Sequence, residues 1–211
     1  MKKIFFITTI FIFLLSANSF ALNFHADSAF TYLRSWTEPD KAPKALRTNS
    51  FGMFLGLGMT FQRDFTITLG GNFLGGKFLE EDMPPIMDDS ELLFYRLSFE
   101  IEYAPYIPVL YNNRIKWFIS FGCGYTNVEM EQNSSDPMTM PDVKDDDSGV
   151  PITIQTGLIV QAAQNFAPFV KIGWERIFYM DNWKEFENDS ITLCLGVRFY
   201  FLPSRKINNT Y

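Results

Sequence analysis

The run Ile191-Thr192-Leu193-Cys194-Leu195-Gly196-Val197-Arg198-Phe199-Tyr200-Phe201 puts a large apolar residue at every odd position and a small or polar one at the even positions. A period of two marks an extended strand with unlike faces. Seven earlier runs repeat it. Leu22, Phe24, Ala26, Phe30 and Tyr32 oppose Asn23, His25, Asp27 and Thr31 in the first, which runs from residue 22 to 34. The second runs from Phe51 to Phe61, with Phe51, Met53, Leu55, Leu57, Met59 and Phe61 against Gly52, Phe54, Gly56, Gly58 and Thr60. After the turn Gln62-Arg63-Asp64, the third sets Phe65, Ile67, Leu69 and Phe73 against Thr66, Thr68, Gly70 and Asn72, which completes a hairpin. The fourth opposes Tyr95, Leu97, Phe99, Ile101 and Tyr103 to Arg96, Ser98, Glu100 and Glu102. The fifth opposes Ile115, Trp117, Ile119, Phe121, Cys123 and Tyr125 to Lys116, Phe118, Ser120, Gly122, Gly124 and Thr126. Ile152, Ile154, Leu158 and Val160 mark the sixth, the least regular, and Val170, Ile172 and Trp174 the seventh, from Phe166 to Phe178.

The connections alternate in length. Short ones lie near residues 62–64, 104–113 and 162–165, and long polar ones near 35–49, 77–91, 127–149 and 177–189. Antiparallel neighbours reverse direction, so every long loop emerges at one end and every short turn at the other, as in outer-membrane barrels. A water-soluble barrel or sandwich would share the period of two. Volume separates the two readings. Each strand offers about four to six large apolar residues on one face, more than the few layers an eight-stranded lumen holds, so that face points outward into lipid. The fold expected is all-β: an eight-stranded antiparallel up-and-down transmembrane barrel over residues 22–201, with a short tail at 202–211.

At the N-terminus, Lys2 and Lys3 precede an uncharged, largely apolar stretch from Ile4 to Leu15, with small residues at Ser19 and Ala21. This is the layout of a cleaved signal peptide over residues 1–21, and the apolar stretch is short for an uncleaved membrane helix. A lipoprotein would need cysteine at the cleavage point, but the only cysteines are Cys123 and Cys194. Removing the signal takes two of 18 basic residues and none of 24 acidic ones, which leaves a net charge of −8. Nucleic acid is not a partner such a chain suits. Two cysteines in an exported chain do not make a disulfide scaffold. Parity sends Cys123 toward lipid and Cys194 inward on a separate strand, so no bond between them is expected.

On these features the chain resembles the eight-stranded outer-membrane barrels of the OmpA and OmpX type along nearly all of its mature length. The resemblance rests on strand number, loop asymmetry and the closing strand. It implies that Leu193, Leu195, Val197, Phe199 and Phe201 form the signal read by the barrel assembly machinery. Leu202 to Tyr211 follow the final Phe, so that signal is internal here.

Charged residues of inward parity form the first candidate constellation: Asp27, Arg96, Glu100, Glu102, Lys116, Lys171, Glu175 and Arg198. Buried charges need partners, so structural ion pairs in a plugged lumen are expected rather than an open pore. Hairpin adjacency suggests Glu100 and Glu102 beside Lys116, and barrel closure suggests Arg198 beside Asp27 and His25. Some barrels of this size modify lipid A with a histidine and a serine or acid. His25 is the only histidine here, lies near the turn end away from outer-leaflet lipid, and has Ser28 on the opposite face, so no catalytic residue is assigned.

Glu80, Glu81, Asp82, Asp88, Asp89 and Glu91 crowd the second long loop, and Asp142, Asp145, Asp146 and Asp147 the third. Neither matches the calcium-loop spacing, so solvated charge is expected and no metal site or cofactor is assigned. Gly56-Leu57-Gly58 and Gly122-Cys123-Gly124 lack the third glycine and following helix of a dinucleotide site. They read as strand glycines that make room in the lumen. Trp174, Arg176 and Phe178 share the outward face near the long-loop end, where an arginine can reach lipopolysaccharide phosphate. The expected function is that of a small non-enzymatic outer-membrane barrel with a structural or surface-interaction role through acidic loops. A narrow channel and a lipid-modifying enzyme are the alternatives. Its expected partners are outer-membrane lipid and the assembly machinery, and it is expected to be a monomer.

Overall fold

The computed structural model describes residues 23–38, 46–61, 64–78, 87–105, 114–134, 143–180 and 187–201. The signal segment 1–21, the tail 202–211 and the acids Glu80, Glu81, Asp82 and Asp142 lie outside the described residues. Eight strands follow in chain order: β1 (Asn23–Glu38), β2 (Leu46–Phe61), β3 (Phe65–Phe78), β4 (Met87–Tyr103), β5 (Ile115–Ser134), β6 (Val143–Val160), β7 (Phe166–Tyr179) and β8 (Glu187–Tyr200). Each pairs antiparallel with its neighbours in sequence, and β8 closes on β1.

The registers fix the barrel's dimensions. Following paired residues from Phe24 through Met59, Ile67, Ile101, Phe121, Ile154, Trp174 and Ile191 returns to β1 at Arg34, ten residues further on. That stagger forces the strands to tilt, and eight tilted strands enclose a space that side chains fill.

The exterior is apolar where water would demand charge. Leu55, Leu57, Leu69, Leu97, Phe121, Ile172 and Leu195 are all exposed, with Leu57 at 64%. Aromatic rings band this surface at two depths. Phe65 with Tyr103 and Phe166 with Phe199 lie at the turn end, with ring centroids 4.8 and 5.4 Å apart. Tyr32 with Phe51 and Phe73 with Tyr95 lie toward the loop end, 5.0 and 5.3 Å apart. An apolar band between two aromatic girdles is the exterior of a barrel in a bilayer.

The strands outrun the sequence expectation at the loop end. β5 continues to Ser134 and β6 begins at Val143, so Asp145, Asp146 and Asp147 stand in a strand paired with β5 rather than in a loop. Asp88, Asp89 and Glu91 likewise belong to β4. Outward apolar residues end where lipid ends, whereas the backbone ladder continues into water with Glu91, Glu129 and Asp146 on its outward face. β4, β5 and β6 therefore project past the belt as a three-stranded acidic extension.

Candidate functional site

Inward positions fill the lumen in two storeys. Three ion-paired rungs cross the turn-end and middle part. Arg198 on β8 grips Asp27 through Nε–Oδ1 at 2.8 Å and Nη2–Oδ2 at 2.9 Å, and also donates to both oxygens of Glu102 on β4 at 3.1 Å. Lys171 on β7 donates to Glu100 Oε1 at 2.7 Å and lies over the rings of Phe54, Phe118 and Phe169. Arg96 on β4 meets Glu175 on β7 at 2.5 Å. Read down β4 the signs run plus, minus, minus at Arg96, Glu100 and Glu102. Glu175, Lys171 and Arg198 on the far wall run minus, plus, plus. Side chains of this length span a narrow lumen, and the opposed order leaves each buried charge with a counter-charge.

Lys116 is not among these rungs. The residues of β5 opposite Glu100 and Glu102 are Gly122 and Ser120, so Lys116 lies beyond the end of the β4–β5 ladder and is exposed at the turn end. The hairpin expectation for Lys116 is thus corrected: the acids reach across the lumen instead of along the hairpin. His25 is fully buried beside this network, with Nε2 3.5 Å from Thr68 Oγ1 and 3.8 Å from Asp27 Oδ1. Both Asp27 oxygens already accept from Arg198, and Ser28 has outward parity.

The second storey was not legible as such. Leu33, Leu74, Leu92, Phe94, Val128 and Ile177 point inward toward the loop end and form a buried apolar cluster with Tyr179. Hydroxyl and amide groups rim it, including Ser190 to Ser35 at 3.1 Å and Asn188 to Tyr179 at 2.9 Å. Between the Arg96–Glu175 and Lys171–Glu100 rungs is a cavity of about 50 Å³, with Asn72, Arg96, Glu100, Gln155, Lys171 and Glu175 in its lining. Arg96 Nε and Nη2, Asn72 Oδ1 and Glu175 Oε1 are buried without a protein partner, so the polar groups of this cavity are not all satisfied by the rungs themselves. Glycines admit the inward rings. A Cβ at Gly157 would sit 2.6 Å from Phe118 and one at Gly196 2.6 Å from Phe169.

On the exterior, Arg176 is half-buried and places Nε and Nη2 on Asp189 of β8, at 2.8 and 2.5 Å, while its guanidinium lies 5.8 Å from the Trp174 ring. Phe178 is exposed beside them. Cys123 is exposed and Cys194 buried, and both are free thiols.

No protein-family model matches the sequence, and no curated protein matches it. Solved structures do match the fold. A major outer membrane protein from Thermus thermophilus aligns at a TM-score of 0.58 and 13% identity, covering 86% of this chain and 100% of that one. The attachment invasion locus protein Ail of Yersinia pestis, solved with the heparin analogue sucrose octasulfate, aligns at 0.50 and 14%, covering 83% and 99%. Neisserial surface protein A aligns at 0.50 and 11%, covering 83% and 96%. The fold is that of the eight-stranded outer-membrane β-barrels. With its lipid-facing belt, this chain is an outer-membrane barrel.

Proposed function

We propose that this protein is a non-enzymatic, non-conducting barrel that acts through its exterior and its loop end. The observation that carries the reading is the two-storey filling of the lumen. Ion-paired rungs lie toward the turn end, and Leu33, Leu74, Phe94 and Ile177 lie toward the loop end. Eight strands leave little space that these side chains do not occupy. His25, the only histidine, is sealed from lipid, and its neighbouring acid is held by Arg198. The part that reaches beyond the bilayer is the acidic extension of β4, β5 and β6, with Glu91, Glu129 and Asp146 exposed on it. That extension is the surface offered to the environment or to other envelope components. In this reading the turn end is periplasmic, the barrel is a monomer, and Ile191 to Phe201 is what the assembly machinery engages.

The test is planar-bilayer recording of the refolded barrel, paired with mass spectrometry of outer-membrane lipids incubated with it. The wild type is expected to give no stable openings and to leave the lipids unchanged. Steady single-channel steps would replace this reading with the channel, and a mass change in lipid would replace it with the enzyme.

A further inference from the structure

The outward face just above the loop-end aromatic girdle is divided by charge. On β4, β5 and β6 it carries Glu91, Glu129, Glu131 and Asp146. On β1, β2 and β3 it carries Arg34, Arg47 and Lys77, with the parity of the lipid-facing residues Tyr32, Phe51 and Phe73 below them. The registers bring these cations together. Arg34 is opposite Asn49, and Asn49 is opposite Lys77, so Arg34 and Lys77 are two strand spacings apart, about 10 Å between backbones. Arg47 lies one step up on the middle strand, opposite Trp36. Long side chains from three such positions can converge on one anionic group.

We propose that this wall binds the phosphate of a glycolipid in the outer leaflet. Three observations favour that occupant. The chain as a whole is acidic, so a basic cluster on adjacent strands is a local exception. It abuts the girdle formed by Tyr32, Phe51, Phe73 and Tyr95, the depth at which a lipid bound by its acyl chains presents its headgroup. Arg34 is exposed, its cross-strand neighbours Asn49 and Ile191 are uncharged, and it makes no ion pair with a described residue. Arg176, by contrast, places two of its nitrogens on Asp189. The Arg176, Trp174 and Phe178 corner therefore contributes mainly aromatic contact at the same depth, and phosphate recognition falls to Arg34, Arg47 and Lys77, where guanidinium groups offer a planar fork. Lys77 lies 3.8 Å from Glu91, with both side chains more than half exposed, a weak pair that a phosphate can displace.

This inference rests on the outer-membrane reading above, and one experiment separates the two. The barrel is refolded into phosphatidylcholine nanodiscs containing bisphosphorylated lipid A or its dephosphorylated form. The midpoint of heat-induced loss of the compact band on a detergent gel is then measured. The wild type is expected to unfold at higher temperature with the phosphorylated lipid only. Arg34→Gln/Arg47→Gln/Lys77→Gln is expected to lose most of that shift, and Arg34→Lys, which keeps the charge without the fork, to retain more of it than Arg34→Gln but less than the wild type. Glu129→Gln/Asp146→Asn is expected to keep all of it, and Arg176→Gln to lose less than Arg34→Gln. Should the triple variant not fold, Arg34→Gln and Lys77→Gln, single changes at exposed positions, carry the comparison. A full shift in the triple variant, or in both single variants, overturns the proposal. So does an equal shift from a soluble sulfated oligosaccharide, which would make the wall a polyanion site independent of lipid. If the wild type gives no compact band in any bilayer, the membrane reading itself fails.

Discussion

Toward the turn end, the lumen is tied by Arg198, Asp27 and Glu102 and by Lys171 with Glu100. Toward the loop end, Leu33, Leu74, Leu92, Phe94 and Ile177 fill the same bore. Both sets come from positions of the same inward parity, so alternation does not distinguish them. They fill space by different means. The apolar storey excludes water by contact, whichever ring meets which methyl. The ionic storey demands particular partners, because a buried charge without a counter-charge is costly, and so it penalises any slip of one strand against the next. Register fidelity is thus the service the rungs perform, and occlusion is shared between the loop-end apolar cluster and Phe54, Phe118 and Phe169, which are buried among the rungs.

Breaking one rung from one side should have the largest effect. Arg198→Ala leaves Asp27 and Glu102 facing each other across a buried gap, and a loss of about 3–5 kcal/mol is expected, the usual cost of stripping one partner from a buried pair. Urea unfolding in lipid vesicles measures it. A loss under about 1 kcal/mol would mean that water solvates the acids and the rung is no constraint. Leu74→Ala, in the apolar storey, should cost less, about 2–3 kcal/mol, because water from the loop end can enter part of the hole. A cost as large as that of Arg198→Ala would erase the distinction between the storeys. The smallest effect belongs to replacing a whole rung. Arg96→Met with Glu175→Leu removes both charges together and should stay within about 1 kcal/mol of wild type, or gain stability. Hydrogen exchange should then show more strand fraying in the double variant if the rungs hold register.

The exterior was legible because lipid imposes a strict local rule: every second residue from Phe51 to Phe61, or from Ile191 to Phe201, must be apolar whatever its neighbours are. That rule gave eight strands, their order, both faces and the opposite facing of Cys123 and Cys194. It failed at the loop end, where Asp145 to Asp147 sit on a paired strand, because a ladder in water needs no alternation. It also left open which inward charges meet. Glu102 finds Arg198, which is 96 residues away, and Lys116, nearer in the hairpin, lies past the ladder's end. The side chain across a closed barrel depends on the stagger summed over eight pairings, and that sum appears only when the last strand meets the first.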